Sequence, residues 1–173
     1  YKNVSKAAEI MNKKINIGAR RITISTAGIV SKIFKMADDK LPYKLAISLN
    51  APNDEIRKKI MPLTINNPIK ELIKSAEYYY SKLKRFVTFE YVLLEEINDS
   101  EACAYELMDL LKGIPCKLNL IPYNEIGGKF SRPKSQSIDA FINALKNASF
   151  TVTVRWSKGT KIDAGCGQLA VKN

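Results

Sequence analysis

From residue 20 to residue 156 the chain alternates two patterns, and few folds accept that alternation. Short β-branched or apolar runs, RRITIST (20–26), YKLAISLN (43–50), FVTFEYVLL (86–94), CKLNLIPYN (116–124) and TVTVRW (151–156), are separated by stretches whose apolar residues recur every three or four positions. Four of the runs are near-continuously apolar, as expected of parallel strands covered by the helices that connect them. The pattern therefore predicts an α/β protein built as a partial (β/α) barrel, with the last run an extra carboxyl-terminal strand that could pair either parallel or antiparallel. No repeat or low-complexity linker interrupts the series.

The intervening stretches carry helix signals of their own. After Ala27-Gly28, Ile29, Ile33, Phe34 and Ala37 fall on one helical face. Asn53 is placed to cap DEIRKKI, which Pro62 stops, and Pro68 opens a second helix whose stripe is Ile69, Leu72, Ile73, Ala76, Tyr79, Tyr80 and Leu83. Tyr78 to Tyr80 thus read as packing rather than as a platform for stacked bases. A further helix is expected to open near Asn98-Asp99 and close at Gly113, with Ala104, Leu107, Met108 and Leu111 inward. The last has Ile138, Phe141, Ile142 and Leu145 inward.

Composition narrows the function. At 173 residues and 46% hydrophobic the chain suffices for one core, and no apolar run approaches the roughly 18 residues of a membrane span. A net charge of +11 favours a polyanionic partner, nucleic acid ahead of mere Lys-rich codon usage. Three cysteines, at 103, 116 and 166, match no zinc or iron–sulfur ligand spacing, and their odd number suggests a reducing, cytoplasmic compartment. The chain opens on Tyr, shows no targeting segment and reads as a piece of something longer.

In a barrel, chemistry belongs at the carboxyl ends of the strands. Ser25 and Thr26, Ser48 and Asn50, Asn119 and Asn124, and Arg155 all fall there, although turn and capping chemistry accounts for Ser, Thr and Asn equally well. Glu90 sits within its strand between Phe89 and Tyr91, where a carboxylate needs a donor, a cation or a proton. Near the carboxyl terminus, IDAGCGQLA places Cys166 between Gly165 and Gly167, a setting that offers a thiol for reaction more readily than for packing. The chain holds no His to act as its base.

The phrases RRITISTAG, LAISLNAPNDEIRKKIMP, VTFEYVLL, NDS, LNLIPYN and TVRWSKGTKIDAGCGQL, in that order and spacing, closely resemble the later half of the RlmN family. These are radical SAM methyltransferases that modify carbon 2 of an adenine in large-subunit (23S) ribosomal RNA and in transfer RNA. The resemblance runs from near Tyr1 to about Leu169. The Cfr type, which methylates carbon 8 of the same adenine, shares GCGQL, but APNDEIRKKIMP is more similar to the carbon 2 enzymes.

The resemblance implies that Ser25, Ser48, Leu49, Asn50 and Asn124 bind S-adenosylmethionine. It implies that Cys166 is first methylated, that a radical derived from a second S-adenosylmethionine activates that methyl group, and that the carbon adds to the adenine. It also implies a [4Fe-4S] cluster and an electron donor. The CxxxCxxC loop that holds the cluster, the Gly-Glu-Pro strand, the first barrel strands and the cysteine that resolves the adduct have no counterpart in residues 1–173, which correspond to the carboxyl-terminal part of the catalytic domain. Asn50 stands where the family usually has His, keeping hydrogen-bonding capacity without a titratable proton. The GGKFSRPKS loop is shorter than in many relatives, with Lys129, Arg132 and Lys134 as candidate RNA contacts, while Cys103 and Cys116 look structural. The readings in competition are a noncatalytic basic RNA-binding module on the same scaffold, and a phosphate-binding barrel enzyme disfavoured by the lack of a Gly-rich strand-to-helix turn.

Overall fold

The computed structural model describes residues 1–126 and 128–157. Five strands, β1 (Thr23–Thr26), β2 (Lys44–Ser48), β3 (Val87–Leu93), β4 (Cys116–Pro122) and β5 (Thr151–Val154), form one sheet in sequence order. All four pairings are parallel, including β4 with β5, which resolves the orientation of the last strand. Each connection carries a helix that returns the chain to the same end of the sheet. These are α2 (Val30–Asp38), α3 (Asp54–Ile60) with α4 (Ile69–Leu83), α5 (Glu101–Leu110) and α6 (Ser135–Ala144). Ahead of β1 lies α1 (Lys2–Lys13), a helix the sequence patterns do not announce because only Ala8 of its residues is buried.

Burial alternates along the central strands, with the helices covering one face of the sheet, as expected of a partial (β/α) barrel. Val87, Phe89, Tyr91 and Leu93 of β3, and Cys116, Leu118 and Leu120 of β4, join Leu72, Tyr79, Leu107 and Phe141 in a single core. The opposite face carries Ser48, Glu90, Asn119 and Thr153 in one register row, all at least partly exposed. That open face is the lumen side of a partial barrel, and its polar row runs from the last residue of β2 through the middle of β3 and β4 to the third residue of β5.

Local corrections follow from the same geometry. Ile29 precedes α2 and is exposed, and Met36 takes the inward place assigned to it. The helix expected from Asn98-Asp99 begins at Glu101, because the Ser100 hydroxyl accepts from the Cys103 N–H at 3.2 Å and serves as its cap. Asn53 caps α3 as anticipated, accepting from Ile56 N–H at 2.9 Å.

Candidate active site

At the carboxyl end of β2 the backbone leaves the ladder, and two side chains the sequence reading did not single out hold it there. The N–H groups of Leu49 and Asn50 both donate to the Glu90 carbonyl, at 2.9 and 3.3 Å. Asn50 then adopts φ +59, a left-handed conformation that Asn tolerates better than most residues. Its Oδ1 accepts from Val92 N–H at 2.9 Å, and its Nδ2 lies 3.3 Å from Met61 Sδ. Asn98, fully buried, closes the junction: Nδ2 donates to the carbonyls of Asn50 (2.7 Å) and Val92 (2.8 Å), and Oδ1 accepts from Leu94 N–H (2.7 Å). The Asn50 side chain is therefore committed to joining β2 to β3, replacing ladder bonds lost where the strands part. Asn50→Ala is expected to cost about 2–3 kcal/mol in urea unfolding, from an orphaned amide and a left-handed Ala; a loss under about 0.5 kcal/mol would contradict this bracket.

The second holder is Arg57 of α3, with none of its surface exposed. All five of its N–H bonds are used: Nε on the Leu49 carbonyl (2.9 Å), Nη1 on Thr64 Oγ1 (3.1 Å) and the Asn67 carbonyl (3.2 Å), Nη2 on the carbonyls of Ala27 (2.8 Å) and Ser48 (3.0 Å). One guanidinium thus ties the ends of β1 and β2 together. Burial pulls its pKa below the ordinary value. Gly28, at φ +102, is the residue this packing requires, since a Cβ there would lie 2.9 Å from Arg57 Nη2. The available signal was Arg57 lying four residues after the Asn53 cap and three before Ile60, on the inward face of a helix expected to be short.

The sequence-predicted residues gather unevenly around this frame. Ser25 Oγ donates to Glu90 Oε2 at 3.3 Å across the open face, supplying the donor Glu90 required. Ser48 lies beside Glu90 in the ladder, with Asn119 on the far side. Leu49 has its side chain wholly in the core, so only its backbone reaches the rim. Asn124 is 5% exposed, two residues past β4. Thr26 Oγ1 accepts from Gly28 N–H at 3.1 Å, a turn role, and Arg155 continues the β5 ladder through its N–H to the Leu120 carbonyl at 2.8 Å. Arg132 donates to the Tyr123 carbonyl at 3.2 Å and lies 6.0 Å from the Trp156 ring, whereas Lys129 and Lys134 are exposed. Cys166 lies outside the described residues.

Chemically, this rim can bind and orient. It combines hydroxyls, amides, fixed backbone carbonyls and one carboxylate, Glu90, which together suit a polar ligand bearing hydroxyl and ammonium groups. Among the described residues no cluster of His, Cys, Asp or Glu is placed to hold a metal. Cys103 and Cys116 are buried free thiols, and burial pushes the Cys116 thiol up to about 11, far from a reactive thiolate.

No protein-family model matches the chain. It is 46% identical over 177 residues to a protein of Thermoanaerobacter sp. named probable dual-specificity RNA methyltransferase RlmN, covering 99% of this chain and 51% of that one. A protein of the same name from Flavobacterium johnsoniae is 46% identical over 175 residues, covering 99% and 50%. Among solved structures, a radical SAM methyltransferase from Sphaerobacter thermophilus superposes with a TM-score of 0.92 at 43% identity, covering 97% of this chain and 50% of that one.

Proposed function

Because the chain is 46% identical to proteins named RlmN and spans about half the length of the curated relatives it matches, we propose that it is the carboxyl-terminal part of a radical SAM methyltransferase of the RlmN family. The whole protein would methylate carbon 2 of an adenine in 23S rRNA and tRNA in the cytoplasm, fed by an electron donor. The observation that carries this reading is the polar row on the open sheet face, with the end of β2 beside it held by Arg57 and Asn98. S-adenosylmethionine, when bound, supplies the methyl group and the radical precursor.

The described residues fit S-adenosylmethionine and do not fit a cluster. Ser25, Ser48 and Asn124 offer side-chain polar groups, and Leu49 and Asn50, whose backbone groups are engaged by Glu90, Arg57 and Asn98, fix the shape of the rim beside them. Glu90 supplies a carboxylate, already aligned by the Ser25 hydroxyl, to accept from an ammonium or a sugar hydroxyl. Buried Cys103 and Cys116, by contrast, are not disposed as cluster ligands.

In the complete protein, Ser25→Ala combined with Asn124→Ala is expected to raise the dissociation constant for S-adenosylmethionine about tenfold, measured by calorimetry, for two lost hydrogen bonds of about 0.7 kcal/mol each. An unchanged constant would remove both residues from the site. RNA binding without methyl transfer by a complete, cluster-loaded protein would favour the noncatalytic module.

A further inference from the structure

The amino-terminal ends of the strands form a second, differently charged surface. Arg20, Lys44, Lys84, Arg85 and Lys117 line a groove of about 550 Å³ there, together with Phe86, and among the described residues no carboxylate lines it. The ladder explains the gathering. Thr88 pairs with Lys117, and Lys44 begins β2 on the same open face two residues before Ala46, the partner of Thr88. Arg20 precedes β1, and the turn after α4 delivers Lys84 and Arg85. Lys84 ends α4 at φ +53 and lies 5.8 Å from the Tyr80 ring, while Arg85 donates to the Pro42 carbonyl. Among the described residues the ion pairs are Lys13–Glu9, Lys35–Asp39, Lys59–Glu55 and Lys74–Glu71, so none of the five cations is neutralised by a carboxylate.

Like charges brought together without counter-charges repel, and a polyanion relieves that repulsion. Phe86, 52% exposed and 5.7 Å from the Tyr80 ring, adds a flat apolar surface within the cationic cluster. Cations that follow a backbone, beside an aromatic ring that stacks a base, are the means by which proteins hold single-stranded nucleic acid. An acidic peptide would use the cations but leave the ring idle. We propose that this groove is an RNA-binding surface separate from the strand-end rim, taking the phosphates of a single-stranded segment with a base stacked on Phe86. From Lys44 to Ser48 is roughly 13 Å along β2, so the segment held here flanks the nucleotide at the rim. The choice of RNA as the polyanion rests on the proposed function; the groove and its charge do not.

The test is fluorescence anisotropy of this chain with a short labelled single-stranded oligoribonucleotide across a salt series. Reversal of the groove (Arg20→Glu with Lys44→Glu and Lys117→Glu) is expected to weaken binding at least about tenfold and to reduce the slope of log K against log salt by roughly 2, at about 0.7 for each lost contact. The same reversal at exposed Lys58, Lys112 and Lys146 is expected to change affinity less than about threefold, through long-range charge alone. Phe86→Ala should weaken RNA binding about fivefold or more and leave polyglutamate binding unchanged. Circular dichroism checks folding, and a glutamine set at the same three groove positions replaces the reversal if it unfolds the chain. Equal losses from groove and control sets would overturn the proposal, as would polyglutamate competing as well as RNA of equal charge. Binding that survives groove reversal sinks the groove alone, whereas no RNA binding by the unaltered chain sinks the groove and the RNA reading together.

Discussion

Arg57→Ala is expected to lower the unfolding free energy by roughly 3–5 kcal/mol, enough to leave a domain of this size largely unfolded or near its threshold at 37 °C. Two opposing effects set that figure. A guanidinium buried without a carboxylate carries a desolvation cost that the Ala variant recovers, visible in the lowered pKa of Arg57. Against it stand five acceptors, the carbonyls of Ala27, Ser48, Leu49 and Asn67 and the Thr64 hydroxyl oxygen, each losing its donor in the variant. Orphaned buried acceptors cost about 1–3 kcal/mol each when no water reaches them, so the losses win even if water satisfies half. Arg57→Lys should be only partly better, because an ammonium has three donors and no fork to span β1 and β2 together. Urea unfolding followed by far-UV circular dichroism reads the difference. A loss below about 1 kcal/mol for Arg57→Ala would mean that the ends of β1 and β2 hold their positions without it.

The contrast between Arg57 and Glu90 shows how far the sequence could be read. Glu90 was visible because it interrupts an apolar run in a strand, where period-two alternation leaves no doubt about which neighbours share its face. Arg57 was hidden because one of five charged residues in a seven-residue helix looks like any solvated position, and only the approach of Gly28, four carbonyls and the Thr64 hydroxyl makes it internal. Asn98 was hidden differently. An Asn-Asp pair ahead of a helix has the composition of a cap, and Ser100, two residues on, took that role while Asn98 turned inward. The strands and their order of polar residues were thus legible from local pattern, since parallel register follows once each crossover is a helix. The brackets that fix the rim were not, because their long-range bonds, Arg57 to Ala27 and Asn98 to Asn50, join residues 30 and 48 positions apart through backbone groups common to every sequence. Asn50, which the resemblance places among the cofactor contacts, has its side-chain Oδ1 on the Val92 N–H, a pairing across 42 positions that no local pattern announces.

Cys166→Ala, in the complete protein, is expected to abolish methylation of adenine carbon 2 while reductive cleavage of S-adenosylmethionine continues at least in part. An amidine carbon such as carbon 2 is electrophilic and offers no lone pair to a sulfonium methyl group, so direct displacement cannot transfer it. A thiol is a competent nucleophile for that methyl group and can carry it to the base. The other two cysteines are unsuited to the task. Cys103 of α5 and Cys116 of β4 are buried in the core, and the Cys116 thiol, pushed up to about 11, is almost wholly protonated at neutral pH. Peptide mass spectrometry of the unaltered protein should therefore find a methyl group on Cys166 and on neither of the others, and 5′-deoxyadenosine should still form in the Ala variant. Radical generation and methyl delivery would then be separable by a single sulfur atom. If the Ala variant still methylated RNA, the carrier would have to be another group, and the GCGQL segment would be left with only its resemblance.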